Sequence, residues 1–332
     1  MVLSRAEARA AEFGIPTAST VEALLADPSI DLILNLTIPL AHADISLAAL
    51  NAGKSVYSEK PMATTFAECR AILESAARHK LVVGAAPDTF LGAGLQTSRG
   101  LLDAGLIGEP IGAAAFMTCH GHEHWHPDPA FYYQPGGGPL FDMGPYYLTA
   151  MVSLLGPVER VMGAARISFP ERTISSEPKH GQKISVNVPT HVTGILNFAS
   201  GVVGTLTMSF DVWASELPRI EIYGSHGTMS LPDPNGFGGP VRVWTQHDQS
   251  WREAPLNRGA TSNVRGIGLA EMAVAMQSGQ PHQANGEMAA HVVEIMESVH
   301  RSAAEGRQIE LTSSCSRPPA LVPGTPVGML VS

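Results

Sequence analysis

Residues 31–85 contain three short apolar segments, DLILNLT (31–37), KSVYS (54–58) and LVVGA (81–85). Between them lie two stretches typical of helices, at residues 41–52 and at about 65–79, and the second begins with a capping box, Thr65-x-x-Glu68. Strands separated by helices of about ten to fifteen residues indicate right-handed βαβ units and a parallel sheet. The segment therefore predicts a Rossmann-like α/β domain, to which we assign residues 1–110.

The segments outside this core give the remaining architecture. Residues 5–13 are typical of a helix that ends at Gly14, and Ser19-x-x-Glu22 predicts a second capping box. Beyond residue 111 the pattern favours strands joined by turns, with Ser200-Gly201 as a two-residue hairpin signal. We expect strands at 190–198, 202–210, 218–223, 227–231 and 240–245, followed by helices at 264–278 and 286–305. This predicts an α+β domain with a large open, mostly antiparallel sheet over residues 111–316, and an extended tail at 317–332.

Composition excludes several classes of protein. The chain has a formal net charge of −9 and no run rich in Lys or Arg, so nucleic acid and anionic membranes are not expected partners. It has no apolar stretch of about 18 residues, which predicts that no segment spans a membrane. The 3 cysteines are odd in number and far apart, which argues against a disulfide framework or a paired zinc motif. We therefore expect a cytoplasmic protein.

Two local motifs contain candidate ligand-binding and catalytic residues. Glu59-Lys60-Pro61 follows the second strand, and ligands of open α/β sheets bind beyond the carboxyl ends of the strands. Taken alone, a tripeptide of this kind in a loop is usually just a solvated turn. Farther along, Asp142 and Tyr146 follow a glycine run at 136–138 and are spaced i, i+4, so both point to the same side of a predicted helix.

The order of these motifs resembles a known family. The segments in question are NLTIPLAH (35–42), AGKSVYSEKPM (52–62), GLIGEPIG (105–112) and GGGPLFDMGPY (136–146). Together they resemble the glucose–fructose oxidoreductase / inositol dehydrogenase (Gfo/Idh/MocA) family over nearly the whole chain. The resemblance implies NAD or NADP as cofactor and hydride transfer to or from a secondary alcohol of a sugar, cyclitol or related polyol.

The resemblance also implies roles for individual residues. Lys60 would lie beside the nicotinamide and the reacting carbinol, and Asp142 would orient the substrate hydroxyls. Tyr146 occupies a position at which many members have histidine and some have tyrosine. The expected cofactor-binding residues are Thr37, Pro39, His42, Glu59 and Lys60.

Alcohol oxidation also requires a group that takes a proton. A lysine cation favours the ionised form of a neighbouring phenol, so Lys60 and Tyr146 are predicted to form a proton relay, with Asp142 as the positioning group. Three alternatives stay open at this point. Tyr146 could be only a hydrogen-bond donor, it could be an aromatic packed beside Tyr147, and Asp142 could be a helix N-cap.

A histidine-rich segment, CHGHEHWH (119–126), precedes the glycine run. On a strand, its four alternating histidines would share one face and could bind a metal ion. We predict no metal, and instead expect Trp125 and His126 to contact substrate, because the aromatic and polar residues that follow are typical of a carbohydrate-binding lip. Asp88-Thr-Phe90 departs from the Arg-rich segment of many family members, which indicates either a different substrate or a local loop without a direct role.

A dinucleotide-binding domain is expected to begin with a strand, a G-x-G-x-x-G turn and a helix, followed about 20 residues later by an acidic residue that holds the ribose. The sequence shows none of these before the predicted strand at 31–37. We therefore expect a truncated start that omits about 30 to 40 residues, the length of one βαβ unit. The alternative is a protein that is naturally short.

These patterns predict an NAD(P)-dependent dehydrogenase with a small carbohydrate or polyol substrate. Redox-assisted cleavage or isomerisation of a glycoside remains an alternative, as does a non-catalytic binding homologue without the phosphate turn. The strands at 190–210 carry apolar residues on both faces, so we also expect a homodimer or higher oligomer that covers the open sheet.

Overall fold

The computed structural model describes residues 3–324. Its first part alternates helices and strands: α1 (Leu3–Phe13), α2 (Val21–Ala26), β1 (Leu32–Asn35), α3 (His42–Asn51), β2 (Ser55–Ser58), α4 (Phe66–His79), β3 (Val83–Ala85) and α5 (Ala93–Asp103). Its second part is mostly strands: β4 (Pro110–Thr118), α6 (Gly138–Leu155), β5 (Val158–Arg166), β6 (Glu171–Thr173), β7 (Lys183–Ser185), β8 (His191–Phe198), β9 (Val203–Ser209), β10 (Ile220–Gly224), β11 (Gly227–Leu231), β12 (Val241–Thr245), β13 (Trp251–Ala254), α7 (Ile267–Ser278), α8 (Gly286–Glu305) and β14 (Ile309–Glu310).

The first sheet is parallel, in the order β1-β2-β3. Thr65 and Glu68 form the predicted capping box of α4, in which each side chain bonds the backbone of the other residue. The capping box predicted at Ser19 is wrong, because the N-cap of α2 is Thr20, whose hydroxyl accepts from the Ala23 N–H at 3.2 Å. The parallel sheet brings the turns after β1, β2 and β3 to one edge, as expected for a ligand-binding α/β domain.

The second sheet has nine strands in the order β13-β12-β11-β10-β4-β9-β8-β5-β14. All its described pairs are antiparallel except β4 with β9. The predicted hairpin at Ser200-Gly201 is confirmed: Gly201 has φ +87 and its N–H donates to the Phe198 carbonyl at 2.9 Å. The predicted fold class, a Rossmann-like domain and a domain with a large open sheet, is therefore confirmed.

Two long helices connect the sheets. The helix α6 is buried along most of its length, and α8 packs on β5, α4 and α6. The two helices approach closely at Gly144, where a Cβ atom would lie 3.1 Å from the Met296 sulfur. On the other side of α8, the fully buried His291 accepts from the Val158 N–H at 2.9 Å, and burial lowers the pKa of its imidazole to about 4. These contacts fix the position of α6 relative to the first sheet.

The outer face of the large sheet is partly apolar. Met162, Ile195, Val203 and Tyr223 are each between 36% and 49% exposed there, and threonines separate them.

No helix among residues 3–324 is both long and apolar enough to cross a bilayer. The tail as far as residue 324 has no regular structure and is tied to α5, since the Leu321 N–H donates to the Gln96 amide oxygen at 2.8 Å. The rest of the predicted tail, 325–332, lies outside the described residues.

Candidate active site

The glycine run at 136–138 sets the direction of α6. Gly136 and Gly138 have φ of +87 and +84, a left-handed conformation that a side chain disfavours. A Cβ atom on Gly137, the N-cap of α6, would lie 2.6 Å from the Phe131 carbonyl oxygen. Since Gly137 is the N-cap, the alternative that Asp142 caps this helix is wrong. Asp142 lies one turn inside α6 and its carboxylate is directed towards the first sheet.

The turn after β2 brings Lys60 against this carboxylate. The Lys60 ammonium donates to the Asp142 carboxylate oxygen Oδ1 at 2.9 Å and to the Asp142 backbone carbonyl at 2.6 Å. Both side chains are mostly buried, with 16% and 17% of their surface exposed. The Tyr146 ring lies below the ammonium, which is 5.2 Å from its centroid. Tyr147 is the aromatic packed in the core, whereas Tyr146 is partly exposed.

Burial and charge act in opposite directions on this pair. Burial lowers the pKa of Lys60, but the negative charges of Asp142 and of an ionised Tyr146 outweigh it, so the pKa is raised. Burial raises the pKa of Asp142, but hydrogen bonding from His122 and the Lys60 charge outweigh it, so the pKa is lowered. The two groups are therefore ionised together across the neutral range.

The second carboxylate oxygen of Asp142 has a partner that the sequence did not single out. His122 Nε2 lies 3.3 Å from Asp142 Oδ2. On the other side of the imidazole ring, the Trp125 indole N–H donates to His122 Nδ1 at 3.3 Å. Trp125 is 53% exposed at the rim of the site, and His126 packs edge-on against Trp125 and Phe131. The structure thus joins Lys60, Asp142, Tyr146 and His122 into one cluster with Trp125 and His126 at its edge.

The predicted cofactor-binding residues after β1 hold the neighbouring turns together. His42 is buried, with Nδ1 2.6 Å from the Pro61 carbonyl oxygen and Nε2 2.9 Å from the Thr37 carbonyl oxygen. The Thr37 hydroxyl donates to the Asn35 amide oxygen at 2.7 Å, and Pro39 begins a short 3₁₀ helix. His42 therefore links the turn after β1 to the turn that carries Lys60. The direct contact of Thr37, Pro39 and His42 with a cofactor stays a prediction.

A cleft of about 220 Å³ lies at the carboxyl ends of the three parallel strands. Leu36, Tyr57, Glu59 and Tyr146 line it, and the buried Tyr57 hydroxyl has no hydrogen-bond partner within residues 3–324. Apolar walls, a nearby carboxylate and an unpartnered hydroxyl fit the flat ring and amide of a nicotinamide. The residues of this cleft therefore fit the nicotinamide half of NAD or NADP.

The segment Cys119–His126 is not a strand, so its histidines do not share a face. β4 ends at Thr118, and the segment turns. His120 stacks on Trp213 with ring centroids 3.4 Å apart, whereas His124 is exposed. Within the part of the chain that the structure describes, no group of three His, Cys, Asp or Glu side chains could hold a metal ion.

A buried ionic network supports the same segment. Arg172, from β6, donates to the Glu123 carboxylate at 3.0 Å and also pairs with Asp211. The Tyr133 hydroxyl donates to the other oxygen of Glu123, and the Ser175 N–H donates to the Glu123 carbonyl at 3.0 Å. This network anchors the residue next to His122 and so fixes the backbone from which His122 extends.

Asp88, noted as a departure from the family pattern, has a structural role. Its carboxylate accepts from the Gly266 N–H at 2.8 Å and the Gly268 N–H at 3.1 Å, at the start of α7. A carboxylate at a helix N-terminus satisfies N–H groups that have no partner in the helix. Although Asp88 borders the cleft, both bonds hold its carboxylate to α7.

Comparisons with known proteins give a consistent assignment. A family model described as an oxidoreductase family with an NAD-binding Rossmann fold matches residues 2–86. A second model, the GFO/IDH/MocA C-terminal domain, matches residues 95–230. Together the two models cover more than half of the chain, and they meet near the change from the first sheet to the second.

Individual relatives agree with the family models. A trans-1,2-dihydrobenzene-1,2-diol dehydrogenase from Bos taurus is 30% identical over 234 residues, which cover 70% of this chain and 64% of that protein. A D-xylose 1-dehydrogenase (NADP(+)) from Haloferax volcanii is 25% identical, over 93% of this chain and 91% of its own. Among solved structures, apo levoglucosan dehydrogenase superposes with a TM-score of 0.80 at 20% identity, over 94% of this chain and 88% of that one. This last likeness shows the shared fold.

Proposed function

We propose, since the chain belongs to the Gfo/Idh/MocA family of oxidoreductases, that it transfers a hydride between NAD(P) and a secondary alcohol of a sugar, cyclitol or related polyol. The observation that carries the proposal is the Lys60–Asp142 ion pair above the Tyr146 ring, beside the cleft of the NAD-binding domain. A lysine and a carboxylate that are both ionised present a donor and an acceptor to adjacent hydroxyls of one substrate. The non-catalytic alternative gives no reason for placing these two mostly buried charges together beside the cleft.

Each side chain has a distinct part in this chemistry. Lys60 binds the reacting hydroxyl oxygen and stabilises the negative charge that develops on it. Asp142 accepts a hydrogen bond from a second hydroxyl and so orients the ring. Tyr146 borders both the cluster and the cleft, and its phenol donates a further hydrogen bond to the reacting oxygen. When bound, the oxidised nicotinamide accepts the hydride.

The rim of the site suits a carbohydrate. Trp125 and Phe131 are 53% and 51% exposed on the segment that overhangs the cluster, next to His126. Aromatic faces stack against the apolar faces of sugar rings, while polar groups at their edges bond the hydroxyls. Trp125 and His126 are therefore proposed as substrate contacts. The two named relatives act on D-xylose and on a cyclic diol, according to their names, so a substrate with neighbouring hydroxyls is favoured.

Absorbance at 340 nm, measured with the purified full chain, tests the proposal. D-xylose, levoglucosan, myo-inositol and trans-1,2-dihydrobenzene-1,2-diol would each be combined with NAD⁺ and with NADP⁺. We expect turnover with at least one pair and its loss in Asp142→Asn, because the amide can no longer pair with the Lys60 ammonium. The matched control is Asp248→Asn. Asp248 lies in the turn after β12 and also forms an ion pair, with Arg252, but this pair is not part of the candidate site. A folded protein without turnover on any pair would support the binding homologue, and sugar release without net NAD(P)H would support glycoside cleavage.

The exposed face of the large sheet supports a second proposal, that two copies of the chain associate through it. Met162 and Ile195 are paired across β5 and β8 and, like Val203 on β9, are nearly half exposed. Light scattering at micromolar concentration should give a mass about twice the 35.0 kDa of one chain. Ile195→Glu should reduce the mass, because a charge would be buried in the interface. Leu24→Glu, at an exposed position on α2, should not. A wild-type mass close to that of a single chain would contradict the proposal that two copies associate through this sheet face.

A further inference from the structure

A second and larger cavity, of about 660 Å³, borders the segment after β4 that supplies His122. The His122 side chain contacts Asp142, whereas those of His120 and His124, two residues before and two residues after it, line the cavity. The cavity volume lies within the range of about 300–1,000 Å³ that is typical of small-molecule sites. One short segment therefore borders both the catalytic cluster and this cavity.

Aromatic rings form one wall of the cavity. The His120 imidazole stacks on the Trp213 indole with ring centroids 3.4 Å apart, and Phe169 meets the imidazole edge-on at 6.3 Å. Trp213 follows β9 and is 82% exposed, so the indole face directed away from His120 is open to solvent. A large aromatic ring with a free face beside a cavity provides a surface on which the apolar face of a ligand can stack.

The rest of the cavity lining is largely polar. Glu171 and Thr173 are exposed on β6, where their i, i+2 spacing directs both side chains to the same face, and Ser175 follows them. Thr118, the last residue of β4, adds a further hydroxyl. Aromatic surface next to hydroxyl and carboxylate groups suits a sugar ring, which stacks through its C–H face and bonds through the hydroxyls at its edge.

The charges around the cavity favour a neutral ligand. Arg172, the buried cation of the lining, pairs with Glu123 and Asp211, so two carboxylates already balance one guanidinium. The exposed Glu171 pairs with Lys183 at 2.6 Å. An anionic ligand would find this buried cation already neutralised, whereas a neutral polyhydroxyl ligand requires only hydrogen-bond partners. One such donor is the Arg172 Nε–H, which has no partner within residues 3–324.

A polar band separates the cavity from the apolar patch on the outer face of the large sheet. Along β8, towards the cavity, Ile195 is followed on the same face by Thr193, whose hydroxyl lies 3.3 Å from that of Thr207 on β9. His191 and Ser209 form the next pair on this face, with 2.9 Å between the imidazole Nδ1 and the hydroxyl. The aromatic wall is therefore not a continuation of the apolar surface through which we propose that two copies associate.

We propose that this cavity is a second sugar subsite, in which a further ring of an oligosaccharide or glycoside stacks on Trp213 while the ring that is oxidised lies against Lys60 and Asp142. This rests on the proposed function and names its substrate class, a saccharide of two or more rings. Trp125 lies at the rim of the cluster, and its neighbour His124 lines the cavity. These two adjacent residues connect the two ring positions along the surface of the segment.

Equilibrium binding tests the subsite without cofactor or turnover. The full chain would be titrated by ligand-observed NMR with cellobiose, maltose and lactose, and separately with glucose and galactose. We expect at least one disaccharide to bind about tenfold more tightly than its component monosaccharides, because its second ring adds a stacking contact and further hydrogen bonds. In Trp213→Ala this advantage should disappear, while the affinity for the monosaccharides should stay unchanged.

Two further variants control for indirect effects. Trp251→Ala is the matched control, because this tryptophan is also exposed but lies on β13, at the far edge of the large sheet. It should change neither the disaccharide nor the monosaccharide affinity. Trp213→Phe keeps a smaller ring and should retain part of the disaccharide advantage. Since Trp213 is mostly exposed, thermal unfolding of both Trp213 variants should follow that of the wild-type protein.

The remaining outcomes separate the subsite from its alternatives. Disaccharides that do not bind, that bind no more tightly than monosaccharides, or that keep their advantage in Trp213→Ala would overturn the subsite. A lower mass of Trp213→Glu in light scattering would show that a second copy of the chain covers the cavity, and would also overturn it. Disaccharide binding that depends on Trp213, without turnover on any pair, would support the subsite and reject the proposed hydride transfer. Turnover of monosaccharides without any preference for disaccharides would do the reverse.

Discussion

Replacing Lys60 with methionine is expected to lower kcat about 10³-fold, while the affinity for NAD(P) changes little. Removal of one donor that stabilises developing negative charge typically costs about 10²–10³ in rate, and Lys60 also keeps Asp142 in position. The measurement is steady-state turnover with the best substrate, combined with calorimetric titration of the cofactor. Near-normal kcat in Lys60→Met would contradict the assignment of Lys60 to the reacting oxygen.

The same replacement should also destabilise the fold in a pH-dependent manner. Breaking a buried ion pair by removing one partner costs about 3–5 kcal/mol, because the remaining charge loses the opposite charge that compensates its burial. Without the Lys60 cation, burial should raise the pKa of Asp142 relative to the wild-type protein. A pKa that is raised on folding favours the folded state at low pH and opposes it once the group ionises. The stability deficit of Lys60→Met should therefore be largest at neutral pH and shrink as the pH falls.

Lys54 offers the matched control for both effects. It is the other buried lysine of this domain, and its ammonium donates to the backbone carbonyls of Asp27 and Ile30 at 2.5 and 2.7 Å. It lies before β2, at the end of the strand opposite to the cleft. Lys54→Met should lower stability and leave kcat unchanged. A comparable loss of kcat in Lys54→Met would show that the effect at Lys60 reflects damage to the domain.

Replacing Tyr146 with phenylalanine is expected to lower kcat about 10²–10³-fold, since one hydrogen-bond donor to the developing alkoxide is lost. The ring stays, so the contact with the Lys60 ammonium and the packing of α6 should persist. Thermal unfolding of the variant should follow that of the wild-type protein.

The alternative outcomes for Tyr146 are distinct. If Tyr146 were also the base, as the predicted Lys60–Tyr146 relay requires, Tyr146→Phe would change the pH profile of kcat/KM as well as lower kcat. If Tyr146 only filled space, Tyr146→Phe would retain nearly full activity. Tyr132→Phe is a useful comparison, because Tyr132 also lies beside the cluster, where its ring packs against the His122 imidazole with centroids 4.2 Å apart.

Much of the fold could be predicted because its information is local. The helix–strand alternation at 31–85, the capping box at Thr65 and the hairpin at Ser200-Gly201 depend on neighbouring residues, and all three are present. The i, i+4 spacing of Asp142 and Tyr146 depends only on helical geometry. The error at Ser19 is equally local: adjacent Ser19 and Thr20 can both cap a helix, and the sequence gives little reason to choose between them.

The sequence by itself determined the family, the two sheets and the set of charged residues at the strand ends. Only the tertiary structure decided which histidine meets Asp142. Segment 119–126 has no period, because its backbone turns after β4, and its position depends on Arg172, about fifty residues away, which binds Glu123. His122 and Asp142 come together because that network and the α6–α8 contact fix their backbones independently. Contacts between distant segments leave no local pattern, so alternation in the sequence suggested a shared face that the folded chain does not have.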